Sequence, residues 1–114
     1  MLIKKEQAIK KQNTEDCIVF EYEYPSTNSS FAISKIEGRY PEKGKSKNLE
    51  CEQAYYVISG SGTIYSEKGN FEIEKGDLYY FTKEEAYHVI GKNLEVCILN
   101  SPKWNLEQYI LIEE

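Results

Sequence analysis

The chain contains few of the residues on which metal and catalytic sites usually depend. Its only histidine is His88 and its only arginine is Arg39. The three cysteines are widely spaced and form no CxxC pair, which argues against both a zinc ribbon and a disulfide framework. They are Cys17, Cys51 and Cys97. An ordinary structural zinc site is therefore not expected.

Long apolar runs and an excess of basic residues are also missing. No apolar run approaches the roughly 20 residues needed to cross a bilayer, and the first residues lack the features of a signal peptide. The expected compartment is therefore the cytoplasm, with no membrane partner. The net charge of −5 disfavours a nucleic acid partner, because phosphate binding needs a basic surface.

Short β-branched and aromatic runs separated by turn residues are abundant. About eight to ten such runs follow one another without intervening helical patterns, which predicts an all-β sandwich or barrel. The length of 114 residues leaves room for one domain, 1–114. Residues 1–30 are expected to form an N-terminal arm with strands, and 41–48 a charged, solvated loop. Asn105 is expected to cap a brief helical turn at 106–108.

The most informative stretch runs from Gln53 to Tyr65. An aromatic and β-branched segment leads into Gly60-Ser61-Gly62, and a second such segment follows. This pattern predicts a strand, a tight turn and a second strand. Gly76-Asp77 then opens a further apolar strand, and His88 comes shortly after it.

These pieces, in this order, resemble a small single-domain cupin. The segment from Glu52 to Gly62 matches the end of the first cupin motif, which is an HxH pair, a glutamate and a later glycine. Gly76-Asp77 matches the opening of the second motif, and His88 falls where its histidine is expected if one extra residue is allowed. The resemblance implies a double-stranded β-helix, or jelly-roll barrel, with its core at about 31–107 and minor helical turns near the termini.

The departures from the cupin motifs concern the metal ligands. The glutamate position holds Gln53, and the Pro and Gly of the second motif are replaced by Thr82 and Glu84. The HxH positions fall on two pairs of residues, depending on the spacing: Lys47 and Leu49, or Ser46 and Asn48. We therefore expect that no cofactor is bound. A divalent metal held by an atypical set of His88, Gln53 and Cys51 is the alternative.

Without a metal, His88 has a use as a general base near neutral pH, with Tyr55 as the acid. Some cupin-like sugar isomerases and epimerases are similar in needing no redox metal, so the resemblance implies this chemistry on a sugar or sugar phosphate. Arg39 would anchor a carboxylate or phosphate. Gln53, Tyr65 and Tyr79 are further candidate ligand contacts. The competing interpretations are a non-catalytic binding or regulatory module, and tyrosines that merely line the barrel around His88.

A homodimer is also expected, because an open jelly roll has edge strands that need protection. The candidate covering segments are the Val19-Phe20 strand and the apolar tail at 110–112.

Overall fold

The computed structural model describes residues 1–113, which form nine antiparallel β-strands and two short 3₁₀ turns. The strands are β1 Ile9–Thr14, β2 Cys17–Tyr22, β3 Ser30–Tyr40, β4 Lys45–Asn48, β5 Glu52–Ser66, β6 Gly69–Glu74, β7 Leu78–Phe81, β8 Tyr87–Ser101 and β9 Tyr109–Ile112. The 3₁₀ turns are Lys5–Gln7 and Leu106–Gln108. The Asn105 side chain accepts a hydrogen bond from the backbone N–H of Gln108, which confirms the predicted cap.

The strands build one strongly curled sheet around the long pair β5 and β8. One path through the sheet runs in the order β1-β2-β3-β8-β4-β9, while β5 pairs with β6, β7 and β8. Because β5 and β8 are each fifteen residues long, they extend over both halves of the barrel and join them. The architecture is a cupin-type jelly-roll barrel, which confirms the predicted fold class.

The interior holds a continuous apolar core. Tyr55, Ile64, Phe81 and Val89 are each no more than 2% exposed. Strand β2 contributes Cys17 and Val19 to the same core. The buried apolar residues of the core are 17, 19, 32, 36, 55, 57, 64, 73, 81, 87, 89, 94, 96 and 98. Strand β2, which lies in the segment 1–30 expected to form an arm with strands, is therefore part of the barrel wall.

The predicted hairpin at Gly60-Ser61-Gly62 is wrong, because the chain continues through these residues as a single strand. The pairing of β5 with β8 shifts register between Val57 and Ser59 and again between Ser59 and Ser61. Gly60 has a φ of +76°, and a Cβ there would lie 1.9 Å from the carbonyl oxygen of Asn93. The glycine thus serves a bulge that bends β5, rather than a turn that reverses it.

The bulges change which side chains face the interior. Before them, Gln53, Tyr55 and Val57 are buried; after them, the buried positions are Ile64 and Ser66. The segment 45–48, expected to be a loop tip, is strand β4, whose Ser46 and Asn48 are buried. No helix among residues 1–113 is long and apolar enough to cross a membrane.

Candidate functional site

A cavity of about 490 Å³ opens into one half of the barrel. Its inner wall combines apolar surface from Val19, Ala32 and Ile98 with neutral polar groups. The polar lining residues of the inner wall are Cys17, Ser34, Tyr40, Asn48, Gln53, Tyr55, Tyr87, Asn100 and Tyr109. None of these inner residues carries a formal charge at neutral pH.

Four tyrosine hydroxyls meet in two pairs at this wall. The Tyr40 and Tyr109 hydroxyl oxygens are 2.5 Å apart, and those of Tyr55 and Tyr87 are 3.4 Å apart. Tyr87 also donates to Oε1 of Gln53 at 3.3 Å. Burial raises the pKa of all four tyrosines above the ordinary value of 10.0. The hydroxyls are therefore protonated at neutral pH, and the hydrogens of Tyr55 and Tyr87 form a chain of hydrogen bonds that ends at Oε1 of Gln53.

Side-chain amides line the cavity beside the tyrosines. Gln53 donates from Nε2 to Oδ1 of Asn100 at 2.9 Å. Asn48 accepts at Oδ1 from Nε1 of Trp104 at 3.0 Å and from Nε2 of Gln108 at 2.8 Å. Each amide is thus held in one orientation by its neighbours, which makes the wall preorganised for binding.

The charged lining residues lie at the rim. Strands β1 and β2 supply Lys11 and Glu21, Glu23 follows β2, and the segment after β8 supplies Lys103. Lys11 and Glu21 form an ion pair at 2.9 Å, with side chains 53% and 25% exposed. Charge is therefore concentrated where water can solvate it, while the interior is neutral.

Among the predicted site residues, Tyr55 and Gln53 line the cavity and His88 does not. On β8 the buried side chains at this end are Tyr87 and Val89, so His88 faces outward between them. Its ring stacks on Tyr65 with 4.6 Å between centroids and an interplanar angle of 10°. Side chains alternate along a strand, so a shift of one residue moves a side chain to the opposite face. When the second cupin motif is aligned without an extra residue, its histidine position falls on Tyr87 instead of His88. Tyr87 is the side chain that faces inward.

The prediction that Arg39 anchors an anion is not supported by its contacts. Its guanidinium donates to the carbonyl oxygen of Pro41 at 2.8 Å and to that of Gly44 at 3.0 Å. Its backbone N–H donates to Oδ2 of Asp16. Arg39 is not among the residues that line the cavity. The guanidinium instead satisfies carbonyls of the turn that joins β3 to β4.

Tyr79 belongs to a second buried polar cluster. Its hydroxyl donates to Oε2 of Glu85 at 2.5 Å, and burial followed by this bond raises its pKa to about 12. Ser66 donates to the same carboxylate oxygen at 2.7 Å, and the backbone N–H of Thr82 donates to Oε1 at 2.9 Å. Lys68 lies 3.6 Å from Oε1. This cluster ties the β7–β8 connection to β5.

The residues at the cupin metal positions do not fit a metal. The inward positions on β4, β5 and β8 carry Ser46, Asn48, Gln53 and Tyr87. Their donors are hydroxyls and neutral amides, whereas first-row divalent metals take imidazole, thiolate or carboxylate ligands. Within residues 1–113, no three His, Cys, Asp or Glu side chains form a group that could hold a metal ion.

The atypical ligand set of His88, Gln53 and Cys51 is not brought together around the cavity. Gln53 lines it, His88 is on the outer face, and Cys51 is 1% exposed, with Sγ donating to the carbonyl of Pro102 at 3.3 Å. Burial raises the pKa of the Cys51 thiol, which disfavours the thiolate that a metal requires.

Sequence reasoning missed Tyr87, Asn48 and Asn100 as cavity residues. Two of them could have been found from the cupin motifs. The longer HxH spacing places a ligand position at Asn48, and the second motif aligned without an extra residue places its histidine position at Tyr87. Asn100 carried no signal, because its place follows from the pairing of β8 with β5, where it lies opposite Gln53.

Comparisons with known proteins establish the fold. No protein-family model matches the chain, and no curated protein matches it in sequence. Pac13, described as a nucleoside dehydratase with a β-barrel, is 17% identical with a TM-score of 0.89, covering 99% of this chain and 91% of that one. Variants of Streptomyces PAC13 with uridine are equally similar, with TM-scores of 0.88–0.89.

Two other cupin-fold structures are also similar. KdgF from Halomonas sp. is 12% identical with a TM-score of 0.74, covering 91% of this chain and 96% of that one. Oxalate decarboxylase from Bacillus subtilis is 18% identical with a TM-score of 0.78, covering 94% of this chain and 30% of that one. At these identities the likeness shows that the chain has the cupin-type barrel fold.

Proposed function

We propose that this chain binds a small, uncharged, ring-shaped metabolite, such as a nucleoside or a sugar, inside the barrel. The observation that carries the proposal is the cavity of about 490 Å³. Its apolar surface can cover a ring, while the tyrosine hydroxyls and oriented amides supply hydrogen bonds to polar substituents. The volume lies within the roughly 300–1,000 Å³ typical of small-molecule sites.

The neutral inner wall favours a ligand without phosphate. A buried phosphate needs cationic partners, since an unpaired charge in a neutral interior loses its hydration without compensation. Arg39 is engaged by two carbonyls, Lys11 pairs with Glu21 at the rim, and Lys103 is exposed to solvent there rather than placed at the inner wall. The similarity to a nucleoside dehydratase, and to structures of that protein with uridine, supports a nucleoside as the first ligand to test.

A metal-independent isomerase or epimerase is the second candidate. The observation that favours it is the pair of protonated Tyr55 and Tyr87 hydroxyls at the inner wall. Such a hydroxyl can return a proton to the substrate as general acid. The matching base would have to be a rim carboxylate, Glu21 or Glu23, because His88 lies on the other face. The competing interpretation, a binding module without catalysis, requires only hydrogen bonds between the cavity wall and the ligand.

The adjacent residues Tyr87 and His88 provide a matched test. Tyr87→Phe removes the hydroxyl that contacts Tyr55 and Gln53, so we expect the Kd for uridine, or for a free sugar that binds, to rise about tenfold. His88→Gln changes only the outer face and should leave the Kd unchanged. Isothermal titration of both variants measures this difference. A large effect of His88→Gln with none of Tyr87→Phe would place the ligand outside the cavity.

We also propose a homodimer, formed through the outer face of the sheet. Two cross-strand rows on β2, β3, β8, β5 and β7 carry no charged side chain: Phe20, Ile33, Cys97, Tyr56 and Leu78, then Tyr22, Phe31, Leu99, Ala54 and Tyr80. Leu78 is 63% exposed and Leu99 50%. An outer sheet face exposed to water normally carries polar residues, so this face is suited to stacking on an identical one.

The proposed dimer should be weak. Five strands spaced about 4.8 Å apart make each row about 19 Å long, so the face is smaller than the roughly 800 Å² per partner of stable complexes. Sedimentation should show dimers that dissociate in the micromolar range, and Tyr56→Glu should yield monomers. Glu42→Ala, away from this face, is the control. A wild-type chain that stays monomeric at millimolar concentration would refute the dimer.

A further inference from the structure

The amide of Asn48 has an orientation that its neighbours determine without ambiguity. The indole Nε1 of Trp104 can only donate, so it must face Oδ1 of Asn48. Gln108 accepts at Oε1 from the backbone N–H groups of Glu50 and Cys51, both at 3.2 Å. Its Nε2 therefore points at Asn48 and donates to the same Oδ1 at 2.8 Å.

This arrangement leaves the Nδ2 group of Asn48 for a ligand. Asn48 lines the cavity and is 4% exposed. Within residues 1–113, every side-chain hydrogen bond of Asn48 is made by Oδ1. The two hydrogens of Nδ2 are therefore bonded to no protein group within that range, and only an acceptor can bond to them.

The surrounding wall has the same polarity. Asn100 accepts at Oδ1 from Gln53, which leaves its Nδ2 as a donor. Burial keeps the lining tyrosines protonated. The Nδ2 groups of Asn48 and Asn100 are therefore the donors that this part of the wall offers, and a ligand that presents acceptors will be complementary to them.

We propose that Asn48 is a specificity-determining residue that selects a ligand with a carbonyl oxygen over one with an amino group at the same place. The inference rests on the proposed function and names its ligand class as a neutral, carbonyl-bearing ring, of which the dione ring of uridine is an example. An amino group facing Nδ2 would bring two donors together and leave both unpaired in a buried site. Discrimination of about 10- to 100-fold is expected from such a mismatch.

Uridine and cytidine are the matched probes, because cytidine carries an amino group in place of the 4-carbonyl oxygen of uridine and, at the adjacent N3, an acceptor in place of a donor. The wild-type protein should bind uridine about tenfold or more tightly than cytidine in isothermal titration. In Asn48→Asp, one carboxylate oxygen keeps the bonds from Trp104 and Gln108, and the other replaces the donor by an acceptor. The preference should then shift toward cytidine by at least tenfold.

Trp104→Phe is the second variant, and it keeps the test informative if the aspartate destabilises the barrel. It removes one of the two donors that hold Oδ1 of Asn48 while keeping an aromatic ring, and the bond from Gln108 remains, so the uridine preference should decrease without being lost. Equal binding of the two nucleosides by the wild-type chain, or an unchanged preference in both variants, would overturn the inference. If neither nucleoside binds but a free sugar does, the inference fails while the proposed function stands. If no sugar or nucleoside binds, both fail.

Discussion

Replacing Ala32 with Trp is expected to abolish binding of uridine or any other ligand of the cavity, with the Kd rising more than about 100-fold. Ala32 lies on β3, lines the cavity and is 8% exposed. Because the Ala32 side chain lines the cavity, a much larger indole at this position should occupy the ligand's volume. Isothermal titration measures the loss, and thermal unfolding shows whether the barrel remains intact.

Ile33→Trp is the matched control for this substitution. Ile33 is adjacent to Ala32 on β3 and points to the opposite face of the sheet, where it pairs with Cys97 and Phe20. Its enlargement should leave the Kd unchanged. If Ala32→Trp folds and binds the ligand as tightly as the wild type, the ligand does not occupy the cavity and the proposed function is wrong.

Glu85→Ala should lower the free energy of unfolding by about 3 kcal/mol. The Glu85 side chain is fully buried and accepts hydrogen bonds from Ser66, Tyr79 and the backbone of Thr82. Removing the carboxylate leaves these donors without an acceptor in a site that water does not reach. Urea unfolding measures the change. Glu42→Ala removes an exposed carboxylate and is expected to change the free energy by less than about 0.5 kcal/mol.

The same carboxylate gives the fold a dependence on pH. Burial alone would raise the pKa of Glu85, but the bonds from Ser66, Tyr79 and Thr82, together with Lys68, outweigh burial and lower it. A lowered folded pKa means that the stabilisation is complete above the unfolded value of 4.5. It is lost as the pH falls through the folded value. Below pH 4.5 the difference between wild type and Glu85→Ala should shrink, and a constant difference would contradict this role.

The sequence by itself determined the fold class. Short runs of β-branched and aromatic residues bounded by turn residues predict strands, and these runs can be recognised without coordinates. Asn105 capped its turn as expected, because a cap depends on neighbouring residues alone. Tyr55 and Gln53 were among the candidate site residues, and both line the cavity because they precede the bulges of β5.

The tertiary structure decided which side chains meet in the cavity. Bulges at Gly60 are stabilised by pairing with β8, which lies more than 30 residues away in the chain, so local sequence did not separate a bulge from a turn. The shift they cause places Tyr65 on the outer face. In the same way, one residue of register exchanged His88 for Tyr87 as the inward side chain. Because strand side chains alternate with a period of two, a one-residue uncertainty in alignment is enough to replace an imidazole site by a tyrosine and amide site.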